Sequence, residues 1–167
     1  MERVGIKYFL MFIVLVAVQV LFLNQIQFSG YINPYIYVLF IMLLPLNAPR
    51  YAVLLLSFFV GLAVDIFSNS LGIHTFASVF IAYARPAIIR IITNREEELN
   101  DYPGLAQTGL AWFLSYTAIM VFIHHFVLFY IEVFTFDNFF STLYRVLLSS
   151  VFSIFVIVLS QFIIFRD

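Results

Sequence analysis

Residues Phe9–Leu23 read FLMFIVLVAVQVLFL. Membrane β-strands alternate apolar and polar residues over about 10 positions, and this run does not alternate. It is apolar on every face, as a helix in lipid or in a fully buried core must be. Arg3 and Lys7 precede it, as in a secretory signal. However, the apolar core is long, and Val18-Gln19-Val20 stands where a small-x-small cleavage site belongs, so the segment is expected to be retained. The same character extends along the chain. Of 167 residues, 64% are hydrophobic, 20% aromatic and only 10% charged. A soluble domain is about 45–50% apolar and about 25% charged, so this chain lacks the polar residues to cover a water-facing surface. The 22 Phe exclude intrinsic disorder. The absence of Cys excludes disulfides, thiol nucleophiles and thiolate-ligated metals. The class is an all-α integral membrane protein with a single transmembrane domain over residues 1–167.

A hydrocarbon layer about 30 Å thick takes about 20 residues of helix. Six stretches are expected to cross it: Tyr8–Leu23, a short one at Pro34–Leu46, Tyr51–Phe67, Ile73–Ile92, Leu105–Ile131 and Phe139–Phe165. Turn residues separate them: Asn33-Pro34, Pro45 and Pro49 around Asn47, Ser68-Asn69-Ser70 with Gly72, the charged stretch from Asn94 to Gly104, and Asp137-Asn138. Under six crossings, Arg3, Lys7, Arg50, Arg90, Arg95 and Arg166 fall on one side, and the loops on the other side hold no Lys or Arg. By the positive-inside rule both termini are expected in the cytoplasm. Glu96–Glu98 reads as a solvated loop, and Tyr31, Tyr35 and Tyr37 as an outer aromatic belt.

Ionisable residues within the spans are costly and therefore point to sites. Asp65, His74, His124, His125, Glu132 and Arg145 are expected to gather in the outer half of the bundle, with an Asp65–Arg145 ion pair at its centre. Arg85, next to Pro86, is expected to reach the inner interface beside Arg90. His124 and His125 are neighbours on a helix and point about 100° apart, so no metal site is expected there. No G-x-S-x-G, H-E-x-x-H, phosphate loop or kinase set occurs, so the reading is non-enzymatic, without cofactor. Nothing in the charge pattern suggests nucleic acid. Small-xxx-small pairs at Ser57/Gly61, Ser78/Ala82, Ala111/Ser115 and Ser149/Ser153 mark where helices can approach closely.

One region carries a family resemblance. A short span with Pro45 is followed by Gly61-Leu62-x-x-Asp65, then by Leu71-Gly72-x-His74 opening the next helix. With the six-span layout, this resembles the rod shape-determining protein MreD family. The motif positions are Gly61, Asp65, Gly72 and His74. Physically, Gly61 permits close helix approach, Asp65 is expected to cap or anchor the outer turn, and Gly72 allows positive φ there. Arg145, His124 and His125 match no motif of the family.

The resemblance implies a multi-pass protein of the bacterial inner membrane whose bundle is similar to the substrate-binding subunits of vitamin ECF transporters. It implies a non-catalytic scaffold for cell elongation and side-wall peptidoglycan synthesis. The direct partner would be an MreC-like single-span protein, and the indirect ones an MreB-like actin, a RodA-like polymerase and a transpeptidase. The partner face is expected at Asp65–His74 and along Ser57 and Gly61. The alternative is a substrate-binding subunit of a vitamin-type transporter. Such subunits are expected to carry a small-residue patch on the first helix, and the first span here has only Ala17.

Overall fold

A computed structural model describes residues 2–25, 32–93, 101–135 and 138–164. These form helices α1 (Glu2–Leu21), α2 (Val38–Met42), α3 (Arg50–Ser68), α4 (Ile73–Ile92), α5 (Leu105–Thr108), α6 (Leu110–Val133) and α7 (Phe139–Ile164), with no strand among the described residues. Five of the segments are long and apolar enough to cross a membrane: Gly5–Gln25, Arg50–Ser68, Ile73–Ile92, Leu110–Val133 and Phe139–Ile163. At about 1.5 Å rise per residue, each matches the hydrocarbon thickness. Their outer faces present Phe9, Leu55, Phe80, Leu114 and Phe155. So much exposed apolar surface suits lipid and would aggregate in water.

The long helices pack in sequence: α1 on α3, α3 on α4, α4 on α6 and α6 on α7. Between them runs a segment of different construction. Residues 33–36 adopt no regular secondary structure, α2 makes little more than one turn, and the chain turns again through residues 43–48. Tyr37 through Leu44 are each 2% exposed or less. A helix apolar on all sides is thus buried on all sides. The Asn33 amide bonds Ser149 Oγ at one end of the bundle, and the Leu46 amide bonds the Asp101 carbonyl at the other. The chain passes lengthwise through the bundle's centre between those points.

Several expectations are revised here. The second span is not a continuous helix over Pro34–Leu46, because Pro34 and Pro45 bracket it and only α2 closes helical bonds. Tyr35 and Tyr37 are buried in the core and form no belt, since they belong to this threaded segment. The fifth span starts at Leu110: Gly109, at φ 80° and ψ 162°, breaks the chain between α5 and α6. Arg85 does not reach an interface; it is 4% exposed. Lys7, Arg50 and Arg90 lie toward one end, where Lys7 stacks on the Tyr102 ring and Arg50 on Tyr83. The side chain of Arg3, and residues Tyr31, Arg95, Glu96–Glu98, Asp137 and Arg166, lie outside the described residues.

Candidate functional site

Irregular backbone at membrane depth is tolerated only where protein groups bond it, since lipid supplies no donors or acceptors. The threaded segment meets this demand through side chains of four helices. Gln19 of α1 donates to the Pro34 carbonyl at 3.1 Å and accepts from the Ile36 amide at 2.8 Å. From α7, Ser149 Oγ accepts the Asn33 amide at 3.0 Å, and Ser153 Oγ accepts the Tyr35 amide at 2.9 Å. At the far end, the last carbonyls of a helix have no partners of their own. Here Arg85 of α4 supplies them, donating to the carbonyls of Met42, Leu44 and Pro45. Its Nε also donates to the Tyr116 hydroxyl of α6 at 2.9 Å, and that hydroxyl donates to the Met42 carbonyl at 3.3 Å. Arg85 points inward because three acceptors wait there. α4 runs on through Pro86, which cannot itself donate to the Ala82 carbonyl.

The motif residues meet at the α3–α4 turn. Asn69 and Gly72 both adopt positive φ, which folds the chain back sharply. Asp65 Oδ1 accepts the His74 amide at 3.1 Å, His74 Nδ1 at 3.0 Å and Ser70 Oγ at 2.6 Å. Oδ2 accepts the Thr75 amide at 2.8 Å and Thr75 Oγ1 at 2.5 Å. With Gly72 as N-cap, these are the N2 and N3 amides of α4, so a carboxylate on α3 caps the next helix and meets its positive end. Asp65→Ala would leave both amides bare at a nearly dry site. The expected cost is about 2–3 kcal/mol, read as a lower melting temperature in detergent, with Asp65→Asn losing less because its Oδ1 can still accept. Equal stability of Asp65→Ala and the unmodified protein would refute the cap.

Gly61 sits where α3 touches this cap. A Cβ there would lie 2.5 Å from Thr75 Cα and 2.8 Å from the His74 carbonyl oxygen. Ser57, fully buried, bonds its own helix at the Val53 carbonyl. Both residues face the interior, so a partner helix could reach them only by parting α3 from α4. Ser57 and Gly61 are thus engaged in packing within the bundle.

The expected Asp65–Arg145 pair does not form, because each has nearer partners. Arg145 Nη1 pairs with Glu132 Oε2 at 3.0 Å, and its guanidinium stacks 4.1 Å from the centre of the Phe129 ring. With its amide turned to present oxygen, Asn33 accepts Arg145 Nε at 3.2 Å and Nη2 at 2.6 Å. His124 and His125 are fully buried. His125 Nδ1 donates to the Val121 carbonyl at 2.8 Å, which leaves Nε2 to accept the Ser153 hydroxyl at 3.0 Å. His124 Nε2 lies 2.6 Å from the Tyr37 hydroxyl. The Tyr35 ring packs among His74, His124 and His125, with centroids 5.3–5.9 Å away. These histidines thus hold the threaded segment in place, and no group of three metal-binding side chains occurs among the described residues.

Above this layer lies a cavity of about 630 Å³. Its lining includes the Glu132–Arg145 pair, the polar Asn24, Ser68, Ser70 and His74, and the apolar Val20, Leu128 and Ile73. Asn24 links Gln19 to Ser68, at 2.8 and 2.9 Å, and so ties the rim to α1 and α3. Sequence reasoning missed Gln19, Tyr116 and the inward turn of Arg85. A lone amide inside an apolar run was the available sign for Gln19. Comparison with known proteins finds no matching family model, no matching curated protein and no matching solved structure.

Proposed function

We propose that this protein is a non-catalytic scaffold of the bacterial inner membrane, similar to MreD, that binds an MreC-like single-span partner during side-wall synthesis. In this reading the threaded segment counts as a second crossing, which makes six, and both termini face the cytoplasm. Lys7, Arg50 and Arg90 toward one end support that orientation. The observation that carries the proposal is the convergence of Gly61, Asp65, Gly72 and His74, the four positions of the resemblance, on one α3–α4 junction. Lipid offers no hydrophobic drive between helices, so partner affinity would come from close packing and a few polar contacts.

The test is purification from the native membrane in mild detergent. A stoichiometric bitopic MreC-like protein is expected in the eluate. A preparation lacking it and carrying an ATPase-coupled membrane protein instead would overturn the scaffold in favour of a transporter's binding subunit. That second reading is favoured by one observation, the polar cavity at the outer end.

A further inference from the structure

We propose that the outer cavity binds a small zwitterion with an apolar body, of the chemical class of a hydrophobic α-amino acid. Size comes first: about 630 Å³ falls within the range of small-molecule sites, about 300–1,000 Å³. Charge comes next. Arg145 and Glu132 are in contact, line the cavity together and keep 21% and 41% of their side-chain surfaces exposed. A wall made of one cation and one anion repels a lone anion at Glu132 and a lone cation at Arg145. A ligand carrying both charges complements it, its carboxylate toward the guanidinium and its ammonium toward the Glu132 carboxylate. Arg145 is pre-set for this, since Asn33 and the Phe129 ring hold the guanidinium in place.

A third group completes the site. With the ring tautomer in which His74 Nδ1–H donates to Asp65 Oδ1, Nε2 carries the lone pair, and that nitrogen has no hydrogen-bond partner among the described residues. It can accept from the ligand's ammonium. Val20, Leu128 and Ile73 offer the apolar body an apolar surface. This binding is independent of the scaffold reading, because a scaffold and a transporter subunit could both use it.

The test uses the full-length protein in lipid nanodiscs and four probes that share a benzyl body. These are L-phenylalanine, phenylacetate (anion), phenethylamine (cation) and N-acetyl-phenylalaninamide (neutral), followed by calorimetry. Saturable binding of phenylalanine is expected, with each other probe at least about tenfold weaker, the scale of one lost charge-assisted contact. In Glu132→Gln, phenylalanine should weaken about tenfold. Phenylacetate should become the tighter of the two singly charged probes, because Arg145 is then unopposed. An unchanged melting temperature in that variant separates recognition from folding. No saturable phenylalanine binding, equal binding of the neutral probe, or an unchanged probe order in Glu132→Gln would each overturn the proposal. Co-purification of the bitopic partner does not depend on any of these outcomes, so the two ideas fail separately.

Discussion

Replacing Arg85 with Ala should cost the protein about 3 kcal/mol, a large share of a typical folding free energy of about 5–15 kcal/mol. Its guanidinium reaches the carbonyls of Met42, Leu44 and Pro45 and the hydroxyl of Tyr116. Removing it strands those acceptors where neither water nor lipid can replace the donor, and also leaves a void beside α2. The charge itself is expensive to bury, so some of that loss is returned when it goes. The orphaned carbonyls and the void are expected to outweigh that return. Arg85→Lys keeps the charge but presents a point donor in place of a planar fork, so it should recover only part of the stability. Thermal unfolding followed by size-exclusion chromatography in detergent gives the order: unmodified, then Lys, then Ala. An Ala variant as stable as the parent would mean that the α2 carbonyls do not rely on this side chain.

Gly61→Leu should be more damaging still. The methyl of an Ala already meets backbone atoms of Thr75 and His74 at 2.5–2.8 Å, and backbone cannot swing aside as a side chain end can. Overpacking of this kind costs about 1–3 kcal/mol for added methylenes in a close-packed core. Leu adds more volume, and separating α3 from α4 also pulls Asp65 off the amides it caps. Gly61→Ala is expected to lower the melting temperature, and Gly61→Leu to abolish the monodisperse folded peak. Ser57→Ala on the same helix face is the contrast. Its hydroxyl bonds only its own helix, so stability should change little. If Gly61→Leu elutes as sharply as the parent, the close approach of α3 and α4 is wrong.

The long helices were legible because lipid imposes a simple rule: an unbroken apolar run of sufficient length has few other uses. The runs at α3, α4 and α7 therefore gave bounds within one residue of the structure, whereas α1 begins six residues before the expected Tyr8. The turn after Asp65 was legible for a related reason, since Gly72 and an acid before a helix start have direct backbone meanings. The segment around α2 was misread as a plain helix. Hydropathy reports that residues avoid water, but it does not distinguish lipid from a protein interior. Arg85 was misplaced by the same gap. Snorkelling is the default for an arginine with no known partner, and its acceptors are main-chain carbonyls 40 to 43 positions upstream, which leave no mark in side-chain identity. Asp65 and Arg145 were paired by depth and charge alone. Local geometry instead gave Asp65 donors within ten positions and gave Arg145 the acid at Glu132.

The partners of Asn33 and Tyr35 on α7 lie 116 and 118 residues further along the chain. During synthesis, the irregular piece before α2 therefore emerges long before Ser149 and Ser153 exist to receive its amides. Until then it has no stable place in the lipid, and the insertion machinery or a chaperone has to shelter it. A ribosome stalled after α6 would release a chain whose centre is still unbonded, and membrane quality control could recognise it as unfinished. The last helix acts as the latch of biogenesis, and a protein shortened at its carboxyl end should disappear by proteolysis rather than persist in a weakened form.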